Sequence, residues 1–248
     1  MMTLATILAS VSQQEEVTTG IDPMMFYFII FIGIAIASWA VSYSLKHKFE
    51  KYSKEPIRLT GKEVAEKMLR DNDIHDVKVT CIPGQLTDHY NPLNKTVNLS
   101  ENVYNCANVA AAAVAAHECG HALQHQQAYA PLKMRSALVP VVSFSSNLVT
   151  WVILAGLFLV NSLGTTLLLV GIGLYAMITL FTFITLPVEI NASARAVNWL
   201  EESGVVEREQ RGMAVSALRS AAYTYVIAAL SSLATLLYYI MIYMRRRD

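Results

Sequence analysis

Two histidines, His117 and His121, stand four positions apart in a segment whose composition favours a helix. An α-helix turns once in about 3.6 residues, so both imidazoles project from nearly the same face and can meet at one metal ion. Glu118 points about 100° further around that helix. In a His-Glu-x-x-His pattern this carboxylate is not a ligand, and it lies beside metal-bound water as a general base. The pattern predicts a hydrolytic zinc site.

The competing interpretation is that the pattern arose by chance. With six histidines in the chain, an accidental match is expected on the order of once in a hundred such sequences. The helical context argues against chance, because residues 107–127 contain no proline and are rich in alanine. Cys119, inside the motif, is interpreted as a small packing residue rather than a nucleophile.

A catalytic zinc also needs a third protein ligand and an open position for water. No histidine follows His125, so a downstream third histidine is absent. Glu189 is the strongest carboxylate candidate, because it ends an uncharged apolar stretch, where a carboxylate is costly and marks a functional site by default. The alternative is a helix cap or an interfacial carboxylate. Other downstream carboxylates lie in a charged patch typical of a solvated surface: Glu201, Glu202, Glu207 and Glu209.

Several further polar residues are candidates for the site. His125 lies one more turn along the helix and is expected to line the site, with metal ligation as the alternative. His89 and Tyr90 are candidates to donate to the substrate or its oxyanion, although His89 fits a surface loop nearly as well. Three residues follow Glu189 and are candidates to orient a ligand histidine or contact substrate: Asn191, Ser193 and Arg195.

The elements that must position these residues include four apolar stretches. The chain has 248 residues, of which 54% are hydrophobic and 15% charged, whereas soluble domains have about 25% charged residues. A membrane-spanning helix takes about 20 residues. The stretches that meet this length lie at about 24–45, 138–160, 165–188 and 221–244. A polar break at 161–164 makes the second and third stretches a hairpin, which would return Glu189 to the side of the histidines.

Between the first two stretches the pattern predicts a small α/β domain. Thr60 and Glu63 fit a capping box that begins a helix at about 62–70. Strands are predicted at 77–81 and 96–99, with a turn at 91–94. The predicted fold class is therefore an α-helical integral membrane protein of about four transmembrane helices with a small α/β domain. The predicted divisions are 1–45 (tail and first helix), 46–135 (catalytic domain), 136–188 (hairpin), 189–220 (third-ligand helix and loop) and 221–248 (fourth helix and basic tail).

The distribution of Lys and Arg predicts the orientation in the membrane. Most basic residues near span ends fall on the side of the α/β domain, so that domain is predicted to be cytoplasmic, in the plasma membrane of a prokaryote. Arg245–Arg247 violate the rule. The N-terminal tail, with Glu15, Glu16 and Asp22, would lie outside, and residues 1–9 lack the basic flank of a signal peptide. Zero net charge excludes nucleic acid as an expected partner, and three separated cysteines exclude a disulfide scaffold.

Three segments together resemble a known family. They lie at 116–125, 86–92 and 186–193. In these segments the chain resembles the YugP-like neutral membrane zinc metallopeptidases, from about residue 52 to the end. That family looks like a distant relative of the HtpX and CAAX prenyl protease group of gluzincins. The resemblance implies a gluzincin-like zinc peptidase domain.

The resemblance also implies a set of site residues. One Zn²⁺ would be held by His117, His121 and Glu189, with Glu118 catalytic. In the wider gluzincin group an aspartate usually follows the ligand glutamate by four positions, and here that position is Ser193. The orientation of a ligand histidine must then rest on Ser193, Asn191 or another residue.

Two hypotheses about function follow. The first is a membrane zinc metalloendopeptidase that cleaves extended peptide or protein segments near the lipid bilayer, with the strand at 95–99 as an exposed edge for the substrate. The second is a non-catalytic membrane scaffold or adaptor with a structural zinc site. Glu118 favours the first, because a structural site needs no base. A transporter is a weaker third hypothesis, since no charge lies at the centre of a span. Regulatory and oligomeric partners are not predicted.

Overall fold

A computed structural model describes residues 23–159 and 162–247. The predicted features of the N-terminal tail therefore lie outside the described residues. The helices are α1 (Pro23–Tyr52), α2 (Gly61–Asp71), α3 (Glu101–Tyr104), α4 (Val109–Gln126), α5 (Ala130–Phe158), α6 (Ser162–Glu202) and α7 (Arg208–Arg247), and the strands are β1 (Lys78–Ile82), β2 (His89–Asn91) and β3 (Thr96–Ser100).

Four of these helices are long and apolar enough to cross a membrane: α1, α5, α6 and α7. The predicted fold class, a helical membrane protein with a small α/β domain, is confirmed. The 41 residues of α6 extend about 60 Å, twice the roughly 30 Å thickness of the hydrocarbon core. About half of α6 therefore projects beyond the bilayer, and Glu189 lies on that same continuous helix.

The sheet of the α/β domain has the order β1-β3-β2, with β1 parallel and β2 antiparallel to β3. β3 is therefore the central strand, and the prediction that residues 95–99 form an exposed edge is wrong. Strand order depends on pairing between distant segments, which the alternation of side chains does not report. The edge strand next to the site is β2. Its three residues are too few to show the alternation of apolar and polar side chains by which a strand is predicted.

The helices of the α/β domain begin at capped termini. In α2, the Thr60 side chain accepts from the backbone N–H of Glu63, and the Glu63 carboxylate accepts from that of Thr60, which is the predicted capping box. In α4, the Asn108 side chain accepts from the backbone N–H of Ala111. The alanines of α4 are nearly all buried, and their small side chains let α2, α6 and α7 pack closely around this helix.

The basic end of α7 lies at the far end of the bundle, beside the α5–α6 hairpin. Arg246 donates to the carbonyl oxygens of Gly156 and Leu157 at 2.6 Å each. These carbonyls belong to the last turn of α5, where backbone acceptors lack partners within the helix. The guanidinium therefore caps α5, which gives one of the three terminal arginines a structural role opposite the α/β domain.

Candidate active site

His117 and His121 lie on one face of α4, as their spacing predicts. Their ring centroids are 4.9 Å apart and the ring planes are nearly perpendicular. Glu189 approaches from α6, and its Oε2 lies 3.2 Å from Nε2 of His117 and 3.5 Å from Nε2 of His121. One ligand atom from each of the three residues lies within 4.8 Å of the others. Residues separated by about seventy positions thus form a single cluster.

The cluster fits a zinc ion by its donor chemistry. Two imidazoles and one carboxylate are a donor set of catalytic zinc sites, which leave a further position for water. His121 is 8% exposed and Glu189 is 2% exposed, and a buried carboxylate requires a compensating positive charge or hydrogen bonds. Burial opposes protonation of His121, but Glu189 and Glu118 outweigh that effect and raise its pKa. The two carboxylates, Glu189 and Glu118, therefore favour a positive charge beside His121.

Each histidine of the cluster has a hydrogen-bond partner on its Nδ1. Ser193 Oγ lies 3.1 Å from Nδ1 of His117, and Gln124 Oε1 lies 3.0 Å from Nδ1 of His121. Such contacts fix which nitrogen faces the metal. The orientation of Gln124 is defined, because its Nε2 donates to the backbone oxygen of Val188 at 2.8 Å. Gln124 therefore accepts from Nδ1–H of His121 and leaves Nε2 free for a ligand role.

The sequence did not single out Gln124, although its position three residues after His121 places both on neighbouring parts of one helix face. Asn191 does not contact a histidine. Its Oδ1 accepts from Gln124 Nε2 at 3.0 Å and from Arg195 Nε at 2.7 Å. Arg195 also donates to Gln127 at 2.7 Å. Asn191 thus supports His121 through Gln124, and Arg195 lies one step further from the cluster.

Glu118 lies beside the cluster without belonging to it. Its Oε2 accepts from the backbone N–H of Tyr90 at 3.0 Å, and the residue is 8% exposed. It lines the same pocket as His117 and His121. Cys119, its neighbour, faces the interior, and burial raises the pKa of its thiol. A buried protonated thiol is a poor nucleophile, which agrees with a packing role for Cys119.

The three residues predicted to line the site differ in what they can do. The hydroxyl of Tyr90 lies 2.9 Å from Nδ1 of His125, and both residues line the pocket. His125 lies outside the three-residue cluster. His89 also lines the pocket, but Asn98 Nδ2 donates to its Nε2 at 3.2 Å and its Nδ1 lies 2.7 Å from the Thr87 oxygen. The Thr87 oxygen can only accept, so Nδ1 of His89 is the donor of that hydrogen bond.

The pocket has a volume of about 320 Å³, and one of its walls comes from the membrane helices. Its lining includes Leu132, Arg135, Ser136 and Val139 of α5 and Tyr225 of α7. The α5 residues follow helical spacing and therefore share one face. In the sequence, Arg135 is only one of the basic residues that indicate orientation, and nothing distinguishes Tyr225. The helical spacing of these α5 residues is visible in the sequence, but it does not show which part of the protein their shared face contacts.

Comparison with known proteins identifies the family. Residues 27–244 match the family described as "Putative neutral zinc metallopeptidase". The chain belongs to this family. It is 41% identical over 229 residues to the "Putative membrane protease YugP" of Bacillus subtilis (strain 168), a match that covers 91% of this chain and 99% of the relative. No solved structure shows a significant match.

Membership of the neutral zinc metallopeptidase family agrees with the donor chemistry of the cluster. The family implies zinc, and His117, His121 and Glu189 are compatible with holding it. The membrane character implied by the relative's name agrees with the four apolar helices. The chain is thus a membrane member of a zinc peptidase family.

Replacement of Gly120 by alanine is expected to weaken the cluster. A Cβ at this position would lie 2.6 Å from the carbonyl oxygen and 3.2 Å from the Cα of Ala192. These are backbone atoms, so relief requires α6 to move away from α4 and to carry Glu189 with it. A displacement near 1 Å costs about 100-fold in activity. Zinc affinity, measured by competition with a chelator, should fall with it.

Gly173→Ala is the matched control for Gly120→Ala. Gly173 lies on α6, and a Cβ there would meet no atom within 4 Å. This variant changes the same residue type on the helix that carries Glu189, without forcing the helices apart. If Gly120→Ala binds zinc as tightly as Gly173→Ala, close contact of α4 and α6 is not required for the site.

Proposed function

We propose that this protein is a membrane zinc metalloendopeptidase that hydrolyses peptide bonds. One zinc per chain is held by His117, His121 and Glu189, and Glu118 is the general base. The observation that carries the proposal is the position of Glu118, which lines the same pocket as the clustered donors without being one of them. The proposed metal ligands and the proposed base thus face the same cavity.

The proposed chemistry divides between the metal and the protein. A zinc ion, when bound, lowers the pKa of water to about 7 and polarises a carbonyl group. Glu118 accepts the proton of the attacking water and later donates it to the leaving amine. Tyr90 and His125 line the same pocket, where a hydroxyl or ring N–H can stabilise the oxyanion. His89 is not assigned this role.

The substrate is proposed to bind as an extended peptide along the outer edge of β2. The backbone N–H of Tyr90 points toward Glu118 rather than toward β3, so the unpaired edge of β2 faces the pocket. An added strand gains affinity from backbone hydrogen bonds. Because residues of α5 also line the pocket, the cleaved segment is expected to lie close to the membrane surface.

The catalytic domain is proposed to be cytoplasmic, in the plasma membrane of a prokaryote. Lys46, Lys48, Lys51 and Lys54 follow the first span, and α6 and α7 add arginines at the same end of the bundle. An excess of basic residues near span ends marks the cytoplasmic side. The arginines at the other end are fewer, and Arg246 caps α5. The distribution therefore favours this orientation.

The non-catalytic scaffold with a structural zinc site has less support. Structural zinc usually has four protein ligands. Among the described residues, the group that could hold a metal contains three donors, and His125 is not one of them. A structural zinc site needs no base, whereas Glu118 lines the pocket beside the clustered donors.

Metal removal tests the proposal. The purified protein in detergent should contain about one zinc per chain and cleave β-casein. Treatment with 1,10-phenanthroline should reduce cleavage to background, and one equivalent of zinc should restore it, since both the water and the carbonyl depend on the metal. Cleavage that persists in protein shown to be zinc-free would exclude a zinc peptidase.

A further inference from the structure

The two oxygens of the Glu189 carboxylate face different partners. Oε2 is the atom next to both histidine rings, 3.2 Å from Nε2 of His117 and 3.5 Å from that of His121. Oε1 has a different neighbour, because Nη1 of Arg135 lies 3.7 Å from it. Tyr225 lines the same pocket as this carboxylate and interacts with it electrostatically. The carboxylate therefore has two imidazoles beside one oxygen and a cation beside the other, with the Tyr225 side chain in the same pocket.

These groups come from separate membrane helices. Arg135 belongs to α5, Glu189 to α6 and Tyr225 to α7. All three line the pocket. The Glu189 side chain is 3% exposed, whereas that of Arg135 is 33% exposed. The charge on Glu189 is thus compensated by an arginine that keeps contact with solvent, which limits the cost of desolvating the pair.

We infer that Arg135 and Tyr225 are positioning residues that hold Oε1 of Glu189, so that only Oε2 is presented to the metal. This inference rests on the proposed zinc site. A carboxylate free to turn can offer both oxygens and occupy the position that a catalytic zinc keeps for water. The ion pair between Arg135 and Oε1 opposes that rotation, and under this inference the hydroxyl of Tyr225 donates to the same oxygen. The two residues act through Glu189.

The inference makes metal binding depend on the assembly of the bundle. Groups that hydrogen-bond to a metal ligand change metal affinity by about 10- to 100-fold when they are removed. Here those groups lie on α5 and α7, outside both helices that carry the ligands. Any separation of α5 or α7 from α6 would release Oε1 and weaken the metal site.

The test compares Arg135→Gln and Tyr225→Phe with two matched controls. Lys133→Gln removes an exposed cation two residues from Arg135, and Tyr223→Phe removes a hydroxyl from the exposed side of α7. Zinc dissociation constants are measured by chelator competition in detergent. Arg135→Gln and Tyr225→Phe should each bind zinc about 10- to 100-fold more weakly, and the controls should match wild type. Arg135→Lys, which retains the charge, should recover part of the loss.

A spectroscopic measurement separates positioning from general loss of structure. Cobalt(II) in a four-coordinate site absorbs visible light far more strongly than five- or six-coordinate cobalt(II). Wild type should show the strong four-coordinate spectrum, and Arg135→Gln and Tyr225→Phe should lose intensity as Glu189 offers its second oxygen. Unchanged zinc affinity in both variants, or weaker affinity with an unchanged cobalt spectrum, would overturn the inference.

These measurements do not require peptide cleavage, so their result is separable from the proposed function. A wild-type protein that binds zinc but cleaves nothing would refute the peptidase and leave the inference testable. A wild-type protein that binds no zinc would refute the metal site itself. Thermal unfolding of the variants, compared with Lys133→Gln and Tyr223→Phe, identifies any variant that fails to fold. If Arg135→Gln fails to fold, the zinc affinity of Arg135→Lys decides the test.

Discussion

Glu118→Gln is expected to abolish peptide cleavage while zinc stays bound. Glutamine has nearly the same shape as glutamate, and its amide oxygen can still accept the backbone N–H of Tyr90 that now bonds to Oε2 of Glu118. It cannot accept the proton of the attacking water. Loss of a general base costs about 10²- to 10⁴-fold in rate. Because Glu118 lies outside the cluster of donors, the zinc content should remain that of wild type.

The measurement is the rate of β-casein cleavage beside the zinc content of the same preparation. Glu66→Gln is the matched control, because Glu66 is an exposed carboxylate of the α/β domain whose side chain is 38% exposed. It should retain both activity and metal. Cleavage by Glu118→Gln within a fewfold of wild type would refute the mechanism, whereas loss of zinc from this variant would move Glu118 into the set of metal ligands.

Features that depend on local spacing could be predicted from the sequence. The four-residue separation of His117 and His121 is one helical turn, and the structure places both rings on one face of α4. The apolar stretches predict four membrane helices because length and hydropathy are local properties. Glu189 was predicted by a related argument. A carboxylate at the end of an uncharged span is energetically costly and therefore indicates a functional role.

Features that depend on which surfaces meet could not be predicted. Gln124, Arg135 and Tyr225 are ordinary in their own segments, and their relation to the cluster arises only when α4, α5, α6 and α7 pack together. The central position of β3 has the same origin, because pairing with β1 and β2 joins segments far apart in the chain. The sequence carries the clustered donors in a recognisable pattern and marks Ser193 and Asn191 beside them, but it leaves Gln124, Arg135 and Tyr225 unmarked.

The supporting residues show how closely the cluster of donors and the membrane bundle are joined. The α/β domain supplies α4 and the edge strand β2, while α6 supplies Glu189 and Ser193 and α5 supplies a wall of the pocket. Gly120 lets the backbones of α4 and α6 touch. The soluble part of the chain therefore does not contain a complete site, and a fragment limited to residues 46–135 lacks the third donor.

Glu189→Gln is expected to have the largest effect on metal binding. Glutamine preserves the size of a side chain that is 2% exposed, so the packing of α6 should survive. The substitution removes the negative charge between the two histidines and replaces a carboxylate donor with a neutral amide. Loss of a direct ligand should exceed the roughly 100-fold effect of a residue that only supports a ligand. Zinc affinity should therefore fall by more than that factor, and cleavage with it.

Glu202→Gln is the matched control for Glu189→Gln, since both residues lie on α6 and Glu202 is exposed. Chelator competition gives the zinc dissociation constant of each variant, and circular dichroism shows whether the helices persist. Arg135 keeps contact with solvent, so its charge is tolerated after Glu189 is neutralised. If Glu189→Gln binds zinc as tightly as Glu202→Gln, the third donor is another residue. If only Glu189→Gln loses zinc while its helices persist, the carboxylate that α6 brings back to α4 is the ligand that completes the site.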